Sequence, residues 1–542
     1  MQKETFIKQY AAGLNPQQLA AVQAVHGPVL LLAVPGSGKT TVLVTRLGYM
    51  VLCCDVPPAQ ILTMTYTVAA THEMRGRFAA RFGAELAGQM TFRTINGLSA
   101  VILQYYSRVY GRRQPELLTN EGDITRMLTD IWQQVNREFP TESTLKELRT
   151  AITYIKNMAL ADEEIEGLET DLANLPELYR RYQAALKRAG QMDYDDQMVF
   201  ALQILRAAPP VLAYFQQRYK YFCVDESQDT SKIQHEIIRL LAGRSLNLFM
   251  VGDEDQSIYG FRAAYPQALM DFEQVYPGAQ VLLMEENYRS SEEIVAAANA
   301  FVARSRYRRP KTLRATQGAQ CPIEIRRITR REEQIDWLFE EARRGGGETA
   351  VLFRNNESAL PLVDLCERRG VPYRFKKADL TFFTHKIVLD AVDFLRFAYE
   401  PANGERFLRL YYKFGLALSR QRALAACGAS ARTGRPILEE LIRDSETKTR
   451  MRESLGDIYA AFKRIPQLNA ADALDAVRHG CGYGAYLNQK GMDTGKLAIL
   501  EMLAEQEPNA LRLLDRLEEL RMLIAAKADV NSDVPFVLST IH

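Results

Sequence analysis

The feature that most constrains the fold is a strand, a glycine-rich turn and a helix that follow one another near the N-terminus. Residues 28–33 are almost entirely apolar, which is typical of a buried parallel strand. They lead into residues 34–40, Val-Pro-Gly-Ser-Gly-Lys-Thr, and then into an apolar stretch with helical spacing. A glycine-rich turn at a helix N-terminus presents backbone N–H groups to an anion, so the segment predicts a phosphate-binding loop in an α/β fold.

The residue types in this loop suit a nucleoside triphosphate. Gly36 and Gly38 let the backbone turn inward, Lys39 can reach the β- and γ-phosphate oxygens, and Thr40 can bind Mg²⁺. The strict phosphate-loop pattern has glycine where this chain has alanine, so the loop alone leaves an ordinary glycine-rich turn open. The predicted nucleotide-contacting residues of the segment are Ala33, Val34, Pro35, Gly36, Ser37, Gly38, Lys39 and Thr40.

Two adjacent carboxylates follow a second apolar stretch. Residues 219–224 predict a strand, and Asp225 and Glu226 stand directly after it. Doubly wound sheets bind ligands at the C-terminal ends of their strands. We therefore expect Asp225 to hold Mg²⁺ through its water shell and Glu226 to accept a proton from, or orient, the attacking water. Two acids capping a helix N-terminus are the alternative, which the phosphate loop makes less attractive.

With both nucleotide motifs in place, the order of the remaining motifs resembles the UvrD/Rep/PcrA group of superfamily 1 DNA helicases, from about residue 14 to the last residue. The resemblance implies an α/β fold with two RecA-like P-loop motor domains. Each would be a parallel sheet flanked by helices, with a mostly helical insert. It also implies ATP and Mg²⁺ as cofactors, and single-stranded DNA and single-strand/duplex junctions as partners.

Further nucleotide contacts are implied by the resemblance alone. Gln18 stands where the family clasps adenine through a side-chain amide, which offers both a donor and an acceptor. Tyr288 is similar to the residue that stacks on the base, and Thr41 replaces an arginine that often covers its far side. Gln256 is expected to sense the γ-phosphate. Arg289 corresponds to an arginine finger that acts when the two motor domains close.

The DNA contacts are likewise implied by matching motifs. Residues 65–70 resemble the first single-strand-contact motif, with Val-Ala in place of the usual Asn-Lys, and residues 94–98 resemble the next. Residues 251–262 resemble the motif that couples ATP chemistry to DNA handling, in which aromatic faces grip any base without reading sequence. Aromatic pairs taken alone are more often core. The expected nucleic-acid contacts are Tyr66, Thr94, Asn96, Tyr259, Phe261 and Arg262.

The predicted domain boundaries follow the motif order and the helical leucine spacing. Residues 1–98 and 191–280 form the first motor domain, and residues 99–190 form its helical insert. Residues 281–385 and 534–542 form the second, and residues 386–533 form its insert. Residues 536–542 resemble the first half of the Thr-x-His-x-x-Lys-Gly-Leu-Glu motif, with Thr540 and His542 aligned, so we expect the second motor domain to be incomplete.

Composition agrees with this class without identifying it. The chain has 68 basic and 66 acidic residues, so its net charge of +2 does not indicate a polyanion ligand. Seven cysteines without a Cys-x-x-Cys pair argue against a zinc or iron–sulfur site and against a secreted disulfide framework. We find no signal segment and no apolar run of membrane-spanning length, which favours a cytoplasmic protein without a membrane partner. The sequence indicates no protein partner.

Two charged segments have competing interpretations. Asp193 and Asp196 match a family signature, but helix N-capping explains them better than chemistry does. A basic run could contact DNA phosphates or could simply be a solvated face. Its members are Arg304, Arg306, Arg308, Arg309, Lys311 and Arg314.

The sequence is compatible with three functions. The first is an ATP-dependent 3′-to-5′ DNA helicase or translocase of the UvrD type, in an incomplete form. The second is a non-motor accessory or regulatory protein that binds single-stranded DNA and ATP. The third, a P-loop kinase acting on a small molecule, requires an acceptor pocket and a lid that the DNA-facing motifs do not supply.

Overall fold

The computed structural model describes residues 1–140, 142–243, 246–260, 263–344, 348–375, 380–527, 534 and 536–540. The chain forms two compact units, Met1–Glu324 and Ile325–His542. Each is an α/β unit with parallel strands and flanking helices, which confirms the predicted fold class.

The first unit is built on a six-stranded sheet in which every neighbouring pair is parallel. The strands of this unit are β1 (Val29–Ala33), β2 (Ile61–Thr65), β3 (Thr91–Thr94), β4 (Glu116–Leu117), β5 (Gln191–Met192), β6 (Tyr221–Val224), β7 (Leu248–Gly252), β8 (Gln280–Met284), β9 (Glu286–Asn287) and β10 (Arg314–Ala315). The sheet order is β3-β2-β6-β7-β1-β8, while β4 pairs with β5 and β9 with β10. The phosphate-loop strand β1 and the acidic strand β6 therefore flank β7 near the middle of the sheet.

Helices make up most of the rest of this unit. They are α1 (Lys3–Phe6), α2 (Pro16–Gln23), α3 (Lys39–Cys53), α4 (Val68–Phe82), α5 (Ala84–Gln89), α6 (Ile95–Tyr110), α7 (Glu121–Asn136), α8 (Glu142–Asn157), α9 (Asp162–Glu166), α10 (Leu175–Ala189), α11 (Tyr194–Ala207), α12 (Pro209–Arg218), α13 (Lys232–Ala242), α14 (Gln267–Met270), α15 (Phe272–Val275) and α16 (Glu292–Val302). Every residue of β1, β2 and β7 is buried, because parallel sheets are covered on both faces. Separate apolar clusters lie on the two faces, one including Leu30 and the other including Leu31.

The helical insert of the first unit begins later than predicted. Helix α6, which we placed in the insert at residue 99, packs against α11, and its residues Leu98 and Ile102 belong to the core on one face of the sheet. The short strands β4 and β5 mark where the chain leaves and rejoins this core. Helices α7, α8, α9 and α10 then share an apolar cluster of their own. Helical spacing alone could not separate α6 from the insert, because both have an apolar stripe.

The predicted start of the second motor domain, after residue 280, falls within β8, which is an edge strand of the six-stranded sheet. Its residues pair in parallel register with β1, from Val29 opposite Gln280 to Ala33 opposite Met284. The motif that follows β8, with Tyr288 and Arg289, lies in the same compact unit as the phosphate loop.

The second unit is mostly helical around a three-stranded parallel sheet. Its strands are β11 (Thr349–Phe353), β12 (Arg374–Phe375) and β13 (Phe536–Thr540), in the order β11-β13-β12. Its helices are α17 (Arg331–Arg344), α18 (Leu360–Arg369), α19 (Thr381–Thr384), α20 (Lys386–Tyr399), α21 (Gly404–Leu410), α22 (Arg420–Thr433), α23 (Ile437–Arg443), α24 (Thr449–Arg464), α25 (Ala470–Asp475), α26 (Tyr483–Gln489), α27 (Gly495–Ala504) and α28 (Ala510–Lys527). One apolar cluster joins the sheet to the helices. His542, which we aligned with a late motif, is outside the described residues.

Two sequence-based expectations can be compared with local structure. Asp193 caps α11: its Oδ1 accepts from the Asp196 N–H at 2.9 Å, and Asp196 Oδ2 accepts from the Asp193 N–H at 3.1 Å, which confirms the capping interpretation. Among the described residues, no individual helix has the length and apolar character needed to cross a membrane. The sharply bent pair Tyr194–Ala207 and Pro209–Arg218, at 102°, meets those criteria by length and composition alone.

Candidate nucleotide and nucleic-acid site

The phosphate loop connects β1 to α3 and is shaped by two glycines in left-handed conformations. Gly36 has φ 68° and Gly38, the N-cap of α3, has φ 82°. Ser37 is buried, and its hydroxyl donates to the Val34 carbonyl at 2.6 Å, which closes the turn. Thr40 lies in the first turn of α3. The N-terminal N–H groups of a helix have no partners within the helix, so the loop can accept an anion.

The segment after β8 packs directly on this loop through Asn287. The buried Asn287 side chain donates to the Pro35 carbonyl at 2.8 Å and accepts from the Arg289 N–H at 2.9 Å. The Tyr288 N–H donates to the Gly36 carbonyl at 3.0 Å. A Cβ placed on Gly36 would approach Arg289 Cβ to 2.9 Å. The exposed Arg289 is thus held beside the phosphate loop, and any larger residue at position 36 would push it away.

Lys39 and the acidic strand end face each other. Lys39 Nζ lies 3.0 Å from Glu226 Oε2, and the Gln228 amide donates to the same oxygen at 2.8 Å. Burial alone would raise the pKa of Glu226, but the charge of Lys39 and hydrogen bonds from Gln228 and Lys39 outweigh it and lower the pKa. Glu226 has φ 49°, an uncommon conformation for a non-glycine residue that turns the chain sharply after β6.

Asp225 is the buried member of the carboxylate pair. Its backbone N–H donates to the Met64 carbonyl at 2.9 Å, which places it at the end of β6 beside β2. Burial, together with the charge of Glu226, raises the pKa of Asp225 to about 6. Burial and Glu226 likewise raise the pKa of Asp229 to about 6. Charge repulsion among three nearby carboxyl groups is relieved when a cation enters the site.

The residues present fit Mg²⁺ better than a transition metal held entirely by protein. Within the described part of the chain, no group of three or more His, Cys, Asp or Glu side chains could hold a metal ion. Magnesium needs only one or two protein oxygen ligands beside phosphates and water. The Thr40 hydroxyl at the start of α3 and the Asp225 carboxylate at the end of β6 are oxygen groups of the kind that would serve as such ligands.

Gln18, which is expected to contact adenine, makes its hydrogen bonds within the protein in this structure. The buried Gln18 amide accepts from the Asn15 N–H at 2.9 Å and donates to the Ser37 carbonyl at 2.9 Å. Both of its polar ends therefore stabilise the capped start of α2 and the phosphate loop. Base contact through Gln18 requires these bonds to be exchanged. The exposed Tyr288 is anchored by its hydroxyl, which donates to Glu286 at 2.5 Å and accepts from Asn15 at 2.8 Å.

A chain of hydrogen bonds runs from Lys39 to Gln256. Gln228, bonded to Glu226 on one side, accepts from the Asp253 N–H at 3.1 Å on the other. Asp253 Oδ2 then accepts from the Gln256 amide at 2.6 Å. The path joins the ends of β6 and β7, neighbours in the sheet. Sequence patterns did not identify Gln228 or Asp253 as part of the site.

Three consecutive acids after β7 form an ionic cluster with three basic residues far along the chain. We call Asp253, Glu254 and Asp255 the acidic turn, and Arg308, Arg309 and Lys311 the basic clasp. Lys311 Nζ lies 2.9, 2.5 and 3.1 Å from carboxylate oxygens of the three acids in that order. Arg308 binds Asp255 through two nitrogens, and the Arg309 N–H donates to Glu254. These three members of the basic run are therefore neither a solvated face nor free for DNA phosphates.

Three of the six expected DNA-facing residues line one cavity of the first unit. The Tyr66 and Tyr259 rings stack with centroids 5.7 Å apart. Tyr66, Thr94 and Asn96 line a cavity of about 460 Å³ that reaches Asp225. The Thr94 hydroxyl caps α6 by accepting from the Gly97 N–H, and the Asn96 amide donates to the Tyr194 carbonyl. Phe261 and Arg262, predicted to stack on bases and to hold the strand, are outside the described residues.

Comparison with known proteins supports this arrangement of motifs. Residues 14–277 match the UvrD/REP helicase N-terminal domain, and residues 282–448 match the UvrD-like helicase C-terminal domain. The chain belongs to the UvrD/Rep helicase family. The two matched regions take in the phosphate loop, the acidic strand end, the acidic turn and Arg289, so this UvrD/Rep-like chain carries its nucleotide motifs within family-defining segments.

Curated relatives of this UvrD/Rep-like chain include three bacterial proteins. The chain is 32% identical over 431 residues to the ATP-dependent DNA helicase PcrA of Leuconostoc citreum, covering 76% of this chain and 57% of the relative. It is 33% identical over 421 residues to the ATP-dependent DNA helicase UvrD1 of Mycobacterium tuberculosis, with coverage of 73% and 54%. It is 28% identical over 498 residues to the putative ATP-dependent DNA helicase YjcD of Bacillus subtilis, with coverage of 90% and 65%. The chain thus spans between half and two thirds of these relatives.

Proposed function

We propose that this chain hydrolyses ATP with Mg²⁺ and couples hydrolysis to 3′-to-5′ movement on single-stranded DNA and to duplex unwinding. The observation that carries the proposal is the hydrogen-bonded path from Lys39 through Glu226, Gln228 and Asp253 to Gln256. Gln256 lies on the same loop as Tyr259, whose ring stacks on Tyr66. A change at the phosphates can therefore reach the base-stacking rings through a few short contacts.

The roles of individual residues follow from their placement. Lys39 exchanges Glu226 for phosphate oxygens, and the released Glu226 orients the attacking water. Asp225 and Thr40 hold Mg²⁺, which when bound neutralises charge on the β- and γ-phosphates. Gln256 detects the γ-phosphate, and Arg289 stabilises charge on the transferring group from beside the loop. Tyr288 and Gln18 contact the base, with Thr41 at the start of α3.

The proposed contacts to single-stranded DNA use chemistry that does not depend on base identity. Stacked tyrosines at Tyr66 and Tyr259 offer flat faces to any base. Phe261 and Arg262, which follow Tyr259 closely in the sequence, are proposed as further DNA contacts. Thr94 and Asn96 border the cavity that reaches Asp225. We expect a single strand, and the junction between a single strand and a duplex, as the substrates. Such a protein works in the cytoplasm.

Hydrolysis and strand separation test the proposal. We expect the purified chain to hydrolyse ATP faster with single-stranded oligothymidine than without it, because bases stacked at Tyr259 move the loop that carries Gln256. We expect a duplex with a 3′ single-stranded tail to be unwound in preference to one with a 5′ tail. Binding of ATP and oligothymidine without any hydrolysis would instead support a non-motor accessory protein, and preference for the 5′ tail would contradict the polarity.

A further inference from the structure

The acidic turn is buried to an extent that charged side chains rarely reach. The side chains of Lys311 and Asp253 are both 0% exposed, and those of Glu254 and Asp255 are 2% and 7% exposed. Three carboxylates of like charge cannot be buried together unless cations are placed among them. The basic clasp meets this requirement, because the flanking acids raise the pKa of Lys311 against the opposing effect of its burial and keep it charged.

Asp253 divides its bonding groups between the clasp and the nucleotide site. Its Oδ1 faces Lys311 Nζ at 2.9 Å, and its Oδ2 accepts from the Gln256 amide at 2.6 Å. Its backbone N–H donates to Gln228, which in turn bonds Glu226. The orientation of one buried carboxylate therefore determines where the Gln256 amide is held, and the backbone of the same residue holds Gln228.

The residues of the basic clasp are held by further hydrogen bonds, so the clasp can keep its partners in a fixed position. The Arg309 guanidinium donates to the Leu269 and Met270 carbonyls and pairs with Glu273 at 2.8 Å. Arg308 donates to the Lys311 carbonyl as well as to Asp255. Residues 308–311 follow α16, the helix that begins shortly after Arg289. The same stretch of chain thus supplies both Arg289 and the clasp.

We propose that Lys311 is a positioning residue for ATP hydrolysis: it fixes Asp253, and through Asp253 it holds the Gln256 amide in the place from which it meets the phosphates. The idea deepens the proposed function and rests on it. Lys311 does not touch nucleotide or DNA. Replacing Lys311 leaves the Asp253 carboxylate without a cationic partner. The carboxylate then moves, and the Gln256 amide that it holds loses its position.

A double-mutant cycle on Lys311 and Gln256 tests this dependence. With saturating ATP and oligothymidine, we expect Lys311→Met to lower kcat by about 10- to 100-fold while the KM for ATP changes by less than about threefold. In a Gln256→Ala background, Lys311→Met should lower kcat by less than about threefold more, because residues that act through one another are not additive. Losses that multiply would overturn the proposal.

Folding is separated from positioning by two further variants. Lys413 pairs with Asp390 at 2.5 Å and is also buried, so Lys413→Met should lower Tm without changing kcat per folded molecule. If Lys311→Met does not fold, Glu254→Gln and Asp255→Asn are added to remove the excess buried charge. We expect this triple variant to fold and to keep the low kcat, since Asp253 still lacks its cation. A wild-type kcat in the triple variant would show that Lys311 only neutralises buried charge and does not position Asp253.

Hydrogen–deuterium exchange gives a readout that needs no turnover. In Lys311→Met, the amides of residues 253–257 should exchange faster than in the wild type, while those of residues 36–40 should not change. Unchanged exchange at residues 253–257 would refute the positioning role. Absence of DNA-stimulated hydrolysis in the wild type would refute the proposed function instead, so the two failures are distinct.

Discussion

Two lysines of the first unit meet carboxylates in opposite ways. Lys39, at the phosphate loop, is 14% exposed and pairs with Glu226, whose side chain is 41% exposed. Lys311, in the basic clasp, is 0% exposed and contacts three carboxylates that are nearly buried. A partly exposed pair exchanges its partners more readily than a fully buried cluster, which is difficult to break. Lys39 can therefore release its partner for phosphate, and Lys311 holds its partners in place.

The chemistry on each side follows from this difference. At the phosphate loop, Lys39 pairs with Glu226, which also accepts from Gln228, and the phosphates of a nucleotide would compete for the lysine. The cluster at the clasp keeps the acidic turn in one conformation. The Lys39–Glu226 pair can exchange partners, whereas the acidic turn beside it is held rigidly. A small movement at the phosphates can therefore be passed on to neighbouring residues.

The largest expected effect comes from removing the exchangeable lysine. Lys39→Ala deletes the cation that meets the β- and γ-phosphate oxygens, so we expect ATP hydrolysis to fall by about 10³-fold or more, ~4 kcal/mol in activation free energy. Hydrolysis is measured as steady-state phosphate release with oligothymidine present. Lys8→Ala, at an exposed lysine on the same unit, is the matched control and should be unchanged. Turnover retained in Lys39→Ala would refute the site.

Removing the charge of Glu226, the partner of Lys39, should have a smaller effect. Glu226→Gln keeps the side-chain volume but cannot accept a proton, so we expect hydrolysis to fall by about 10²- to 10³-fold. Nucleotide binding should persist, because Lys39 is freed for phosphate. A fluorescent ATP analogue measures affinity, and single-turnover hydrolysis measures chemistry, with Glu177→Gln in an exposed helix as the control. Equal losses of binding and hydrolysis would make Glu226 a structural residue.

The next effect concerns the stacked rings. Tyr259→Ala removes one face of the pair with Tyr66, and we expect single-strand affinity to fall by about 1–3 kcal/mol. DNA stimulation of hydrolysis should decline while the KM for ATP stays nearly constant. Tyr259→Phe should keep most of the stacking, and Tyr110→Ala, at another partly exposed tyrosine, should have no effect. Matching losses of ATP and DNA affinity would argue against coupling through this loop.

The residues whose placement could be predicted from sequence are those that lie directly at the ends of recognisable strands and helices. Lys39 stands within the glycine-rich turn, and Asp225 and Glu226 follow their strand immediately, so spacing alone brings them to one sheet edge. Asp193 was correctly assigned as a cap for the same reason. The α/β class also follows from local strand and helix patterns.

The residues that sequence missed act through partners far along the chain. Asn287 reaches Pro35, and Lys311 reaches Asp253, so no short pattern contains both members of either pair. A lysine inside a basic run suggested a solvent or DNA contact, and only burial reveals the acids around it. The edge position of β8 was missed because apolar spacing identifies a strand without identifying its neighbours.

The smallest expected effect is a pH dependence that sharpens the contrast between the two lysines. Burial and Glu226 raise the pKa of Asp225 to about 6, so below that pH the carboxyl is protonated and cannot hold Mg²⁺. We expect Mg²⁺-dependent hydrolysis to fall by up to about tenfold per pH unit as pH drops below 6, with a rising Mg²⁺ requirement. Titrating hydrolysis against Mg²⁺ between pH 5 and 8 measures this.

The stability of the folded protein should change with pH in the opposite direction to its activity. A carboxyl with a raised pKa binds its proton more tightly in the folded state, so without nucleotide the free energy of unfolding should fall as pH rises from about 4 to about 6. The pKa of Asp229 is also raised to about 6, so the Asp229→Asn variant is needed to distinguish its contribution from that of Asp225. If the acid limb of hydrolysis disappears in that variant, Asp229 and not Asp225 controls it. If the limb persists, the proton competes with Mg²⁺ at Asp225, while the Lys311–Asp255 pair stays charged because the pKa of Lys311 is raised and that of Asp255 is lowered.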